Sequence, residues 1–397
     1  MVFRLLVGAS LVCALAQTPH RKVTGAEVER VQRSALLIDT HNDITSMTVD
    51  GFDIGSQGGK TMTDIARMKA GGMGAQFFAV YVSKDYVTTS QSAHRALEMI
   101  DTVRHDIIDR YPNDFALALT ADDIERIHRG GKIAALLGIE GGHAIEDSLR
   151  LLRDYYLLGV RYMTLTHTNT NGWADSSGDT DDPTVKHHGG LTPFGKQVVA
   201  EMNRLGMMVD ISHTADATFW DMISTSTAPP IASHSSCRAL ANVPRNMTDQ
   251  MIAALAKKGG VIQINFACEF LTQAAADKGV AFWPKLEDPK LSDEEKKTLY
   301  AQYMSSFPRP TIEDVADHID HAVKVGGIDA VGLGSDFDGI TCAPKDLDEV
   351  SKWPNLTRVL LERGYSPEDI RKIYGGNLLR VMRAVEAESR RLQTEAR

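Results

Sequence analysis

The 397-residue chain is 43% hydrophobic and 24% charged, with a formal net charge of -9. That is a globular balance, long enough for one large barrel or two domains. The acidic surplus excludes the basic footprint of a nucleic-acid binder, and neither a low-complexity tract nor an internal repeat interrupts the chain.

At the start, Arg4 precedes an apolar run from Leu5 to Ala16 that closes on Ala14-Leu15-Ala16. This pattern predicts a signal peptide over residues 1–16, too short and too polar in its flanks for a transmembrane span. Export to a periplasmic or extracellular space is the expectation, with residues 17–397 forming one domain. The charged end, Glu386–Arg397, has no apolar tail for a lipid anchor. A leading helix is predicted over Ala26–Ser34.

Eight short apolar runs follow: Leu36–His41, Gly74–Val82, Ile133–Glu140, Val160–His167, Met207–His213, Pro230–His234, Val261–Phe266 and Ala330–Asp336. Each has the length of a buried strand, and helix-like stretches separate most of them. Thr63-Asp64 opens a helix that Gly71-Gly72 stops. Residues 91–129 read as helical. Thr192-Pro193 opens another helix with proline at the tolerated first position. Ser366-Pro367-Glu368-Asp369 caps the last. Two segments fit no connector: the Gly-, Asp- and Ser-rich loop Asn169–Gly190, and a charged helical insertion near 270–312, read as a lid or an oligomer contact. The predicted fold class is α/β, a (β/α)8 TIM-like barrel with an extra N-terminal helix. Beyond residue 16 stand Cys237, Cys268 and Cys342. The first two follow consecutive predicted strands, so they either pair or remain free buried thiols.

In such a barrel the C-terminal ends of the strands meet at one rim. His41 and Asp43 are two residues apart and leave the same face of an extended segment. Glu140, followed by Gly141-Gly142, has room to approach two ions and bridge them at roughly 3.5–4 Å. His213 and His234 sit in matching Ser-His contexts, and neutral imidazole suits zinc. Asp336 is placed to take a proton from water and return it to a leaving amine. His167 is placed to donate to an oxyanion, and Arg245 to clamp a substrate carboxylate. Read together, these side chains are the raw material of a two-metal hydrolase.

The segments IDTHND, GIEGGH, YMTLTHTNTNGWADSS, VDISHT, ASHSS, PRNMTD and GLGSDFDG resemble those of the membrane (renal-type) dipeptidases, zinc peptidases of the amidohydrolase superfamily. The resemblance runs from Ser34 to the final helix. It implies two zinc ions per chain, bridged by Glu140 and a water or hydroxide. His41 and Asp43 would hold the first ion and His213 and His234 the second. His167 and Arg245 would contact substrate, and Asp336 would handle the proton. The implied substrate is a dipeptide, including those with a C-terminal D-residue, and the implied assembly a homodimer. An acyl-amino-acid deacylase on the same scaffold is the alternative; a non-catalytic barrel is disfavoured because every ligand is present. The chain lacks the cysteine framework of mammalian members. Sequons stand at Asn246 and Asn355.

Overall fold

The computed structural model describes residues 21–395 except 287 and 289; the predicted signal peptide lies outside the described residues. All eight apolar runs form parallel strands. These are β1 (Leu37–Asn42), β2 (Met73–Tyr81), β4 (Ile133–Glu140), β5 (Val160–Thr164), β6 (Met208–Asp210), β7 (Ile231–Ala232), β8 (Val261–Ile264) and β9 (Val331–Leu333). A ninth, β3 (Phe115–Leu117), pairs only with β4 and stands outside the ring. The order β1-β2-β4-β5-β6-β7-β8-β9 makes a nearly closed barrel. Its seam closes just past β9, where Asp336 N–H donates to His41 O (3.1 Å) and Asp43 N–H to Phe337 O (2.9 Å).

Alternation along the strands separates two apolar layers. Ala75 and Phe77 of β2, and Ala134 and Leu136 of β4, face the barrel interior. Phe78 and Val80, with Leu137 and Ile139, face the surrounding helices. The final helix, Asn377–Glu395, sends Leu378, Val381, Met382 and Val385 into the interior layer, alongside the helix Ala121–Arg129. Both faces of every strand are thus covered, which is why the runs read as nearly continuous apolar stretches.

The capping signals act as expected. Asp64 caps Ile65–Ala70, Thr192 caps Pro193–Leu205, and Ser366 with Asp369 forms a reciprocal capping box. The helical reading of 91–129 needs correction. The helix Ser92–Thr102 widens into a π-turn over Val103–Asp109, and β3 interrupts before Ala121. β3 is three residues long, too short for periodicity to reveal. The insertion is two helices, Gln273–Leu286 and Asp293–Ser305. No helix of the described residues is long and apolar enough to cross a membrane.

The cysteine pairing also differs from expectation. Cys268 is bonded to Cys342, with Cα atoms 5.5 Å apart, and Cys237 is free and buried. The loops after β8 and β9 lie side by side, and Cys268 N–H donates to Cys342 O. Cys237 instead faces the helix Ile312–Gly326, its N–H bonded to His318 Nδ1. Asn246 is buried, its amide donating to Ala241 O and Phe270 O, which leaves no room for a glycan. Asn355 is exposed.

Candidate metal centre

Every predicted ligand arrives at the rim from a strand end. His41 lies within β1, and Glu140 is the last residue of β4. His213 and Asp336 lie beyond β6 and β9 with φ of 63° and 64°. This left-handed backbone, sparsely used by residues other than glycine, turns their side chains back toward the axis. His234 follows β7.

Glu140 is the centre of the cluster, and its two oxygens face different groups. Oε2 lies 3.4 Å from His41 Nε2, which is itself 3.2 Å from Asp43 Oδ2. Oε1 lies 2.9 Å from His213 Nε2 and 3.2 Å from His234 Nε2. His167 Nε2 is 3.7 Å from the same oxygen, and Asp336 gathers with His41 and Asp43. The predicted ligands therefore converge; His167 stands with Glu140 and His213, and Asp336 with His41 and Asp43. His41 Nε2 and Asp43 Oδ2 are buried without a hydrogen-bond partner. Unsatisfied polar atoms at such a density are costly unless they hold something.

The imidazole tautomers follow from their far sides. Tyr162 Oη donates to Thr40 O (3.0 Å), so it accepts from His41 Nδ1–H (2.8 Å). Ser233 Oγ donates to Asp210 Oδ2 (2.6 Å), so it accepts from His234 Nδ1–H (2.7 Å). Both histidines thus present the lone pair of Nε2 to the cluster, as metal-ligating histidines do. Tyr162 reaches His41 only because residue 138 is glycine: a Cβ there would fall 2.0 Å from the Tyr162 ring.

Electrostatics agree with a site for cations. Burial opposes charge on His41, yet Tyr162, Glu140 and Asp43 outweigh it and hold its pKa well above the ordinary value. Burial likewise opposes charge on Glu140, but His41 and His167 hold it well below the usual carboxylate range. Burial, with Arg245 and the neighbouring histidines, keeps His213 and His234 neutral. Burial beside Asp43 and Glu140 pushes Asp336 up to about 8. Two carboxylates and three imidazoles suit zinc, and a metal ion can take the place of the proton that the carboxylates draw to His41, so the residues fit the implied metal pair.

Three supporting residues escaped the sequence reading. Asp39 Oδ1 and Oδ2 accept from Ser335 N–H (2.8 Å) and Ser335 Oγ (2.6 Å), tying β1 to β9. Asp210 accepts from Thr164 Oγ1, Ser212 N–H, Ser233 N–H and Ser233 Oγ, tying β5, β6 and β7. Asn265 donates to Asp336 Oδ2 (2.8 Å). Polar residues inside apolar runs (the Asp of LLIDTH and of MMVDISH) were the available signal.

A cavity of about 650 Å³ opens above the cluster, lined by Asp43, Glu140, His167, His213 and Asp336 on the rim side. Arg245 is not among its lining residues. Two of its nitrogens are held by Ser235 Oγ and His234 O, both at 2.9 Å, and its Nε–H is buried without a partner.

Residues 25–396 match the family described as membrane dipeptidase (peptidase family M19). An uncharacterized dipeptidase of Schizosaccharomyces pombe is 35% identical over 386 residues, covering 92% of this chain and 84% of the relative. Dipeptidase verJ of Clonostachys rogersoniana is 37% identical over 372 residues, covering 90% and 86%. The probable dipeptidase PvdM of Pseudomonas aeruginosa superimposes with a TM-score of 0.80 at 25% identity, over 91% of this chain and 98% of that one. A Rhodobacter sphaeroides metallopeptidase, solved with a phosphinate mimic of L-Ala-D-Ala, gives 0.72 at 25% identity, over 88% and 99%.

Proposed function

Since the chain belongs to the membrane dipeptidase family, peptidase family M19, and is a metallo-dipeptidase, we propose that its centre holds two zinc ions shared through Glu140. The observation that carries this is the division of Glu140, with one oxygen toward His41 and Asp43 and the other toward His213 and His234. When bound, such a pair polarises the scissile carbonyl and supplies a nucleophile at neutral pH.

The chain's own groups do the rest. Asp336, fixed by Asn265 through Oδ2, takes the proton of the attacking water and delivers it to the departing amine; its raised pKa falls with cations bound beside it, which holds it ionised for the first of these transfers. His167, close to Glu140 and His213, donates to the oxygen on which negative charge develops. Arg245 is the cation proposed for the free carboxylate of a dipeptide; its side chain, held by Ser235 Oγ and His234 O outside the cavity lining, has to turn toward the cavity to reach it, and a clamp on that carboxylate restricts the enzyme to very short peptides. Tolerance of a D-residue at the C-terminal position is part of the proposal; the Rhodobacter protein was solved with a mimic of that stereochemistry. Export through residues 1–16 is proposed on the sequence pattern alone.

The test is kcat/KM on L,L and L,D dipeptides, C-terminally amidated dipeptides, tripeptides and N-acetyl amino acids, with zinc restored and metal content measured. We expect hydrolysis of free dipeptides of both stereochemistries and about two equivalents of metal. Equal rates on amidated and free dipeptides would remove the carboxylate clamp. Preference for N-acetyl amino acids would favour a deacylase.

A further inference from the structure

Two carboxylates that line the cavity, Asp338 and Glu269, have no place in the chemistry above; Asp338 lies on the β9 side and accepts from the backbone N–H of Met62, which leaves Glu269. Glu269 lies just past β8, beside the Cys268–Cys342 bond, on the wall built by the insertion. It forms no hydrogen bond or ion pair with a metal-facing side chain among the described residues. Its one side-chain hydrogen bond comes from Tyr303 Oη at 3.1 Å, and it forms no ion pair among the described residues. No lysine or arginine of the described residues lines the cavity.

The surroundings of Glu269 are built to hold it. Gly279 stands inside the helix Gln273–Leu286, where glycine weakens a helix by about 1 kcal/mol relative to alanine. A Cβ at that position would lie 2.9 Å from Glu269 Cγ, so the missing side chain is the space that the carboxylate stem occupies. Tyr303, which orients the carboxylate, is itself stacked on Phe282 with ring centroids 3.9 Å apart. Trp283 and Phe270 supply apolar walls beside it. Burial holds the Glu269 pKa above the usual carboxylate range, and a cation is the partner that would offset that burial.

Resting on the dipeptidase reading, we propose that Glu269 is a specificity-determining residue that pairs with a cationic side chain, that of lysine or arginine, in the dipeptide substrate. The α-ammonium group is the competing cation. It sits two bonds from the scissile carbonyl, however, so its natural partner is a group bonded into the metal-facing cluster, and Glu269 is instead held by Tyr303 and the insertion. Trp283 and Phe270 would cover the methylene stem, as apolar surfaces do for long cationic side chains.

Lysine and its uncharged isostere norleucine separate the alternatives. kcat/KM is measured for Lys-Ala against Nle-Ala and for Ala-Lys against Ala-Nle, in the zinc-restored wild type, Glu269→Gln and Gly279→Ala. In one of the two series the wild type prefers lysine by about tenfold or more, the scale of a hydrogen bond to a charged group. In Glu269→Gln the lysine-to-norleucine ratio falls to about one. Gly279→Ala, which strengthens the helix while crowding the carboxylate, lowers the ratio in the same direction and guards against a folding defect in the first variant. A wild-type ratio near one in both series overturns the proposal. So does a loss in Glu269→Gln that is equal for lysine and norleucine, which would assign Glu269 to the α-ammonium or to structure. Failure to hydrolyse any dipeptide overturns the dipeptidase reading, and the subsite falls with it.

Discussion

The two sides of the rim hold their histidines by the same device with different chemistry. On the β1 side, His41 Nδ1–H is received by the Tyr162 hydroxyl, whose own proton goes to a backbone carbonyl. On the β6–β7 side, His234 Nδ1–H is received by Ser233, whose proton goes to the carboxylate of Asp210. The first relay ends in a neutral acceptor and the second in an anion. The ligands compensate: the β1 side brings a carboxylate, Asp43, to the cluster, whereas the β6–β7 side brings two neutral imidazoles and keeps its charge one shell back. The lesson is that this rim distributes negative charge unequally: Asp43 and Asp336 gather beside His41, whereas the β6–β7 side keeps its carboxylate, Asp210, behind the histidine it supports.

The largest test removes what the two sides share. Glu140→Gln should lower kcat/KM by at least about a thousandfold, some 4 kcal/mol of transition-state stabilisation, and reduce bound metal on both sides; a variant retaining two equivalents would show the sides to be independent of Glu140. Next in size is the asymmetry itself. Asp210 supports the His234 ring through Ser233, whereas Asp39 reaches only the backbone N–H of His41 (3.3 Å) and Ser335. Asp210→Asn should therefore cost about 10–100-fold in kcat/KM or metal affinity, and Asp39→Asn several-fold less. Equal losses, read by kinetics and by metal titration of the two variants, would erase the distinction.

The last effect is on stability and leaves catalysis aside. His318 is fully buried; its Nε2–H donates to Leu271 O, and its Nδ1 accepts from Cys237 N–H, anchoring the loop that follows His234. Burial pushes its pKa down to about 4, below the unfolded value of about 6.5. Its contribution is thus complete above pH 6.5 and is lost as pH falls through 4, amounting to about 3 kcal/mol when fully withdrawn. His318→Gln can keep both hydrogen bonds without titrating. Urea unfolding of wild type and variant between pH 7 and 4 should show the gap between their stabilities narrowing toward acid; a constant gap would exclude His318 as the coupled group.

The eight strands and the metal-facing residues were legible because a strand buried on both faces must be apolar throughout, so that a His, Glu or Asp at its end stands out. Asp39 and Asp210 were hidden by the same rule: each sits inside an apolar run, and its partners lie just past other strands, Ser335 after β9 and Ser233 after β7. The cysteine pair was misplaced for a related reason. Adjacency of β8 to β9 brings Cys268 to Cys342, while Cys237, nearer in sequence, points into a helix. Glu269 could not be read at all, because its meaning depends on Gly279 and Tyr303 arriving from two helices of the insertion.

The seam has a temporal consequence. Asp39 and Ser335 are 296 residues apart, and the backbone of His41 is bonded to that of Asp336. A growing polypeptide that has not yet emitted Val331 has neither Asp336 nor the contacts that fix His41. Synthesis must be nearly finished before the first strand meets the last, a slow, long-range closure. Until then the ribosome-bound chain carries no working peptidase.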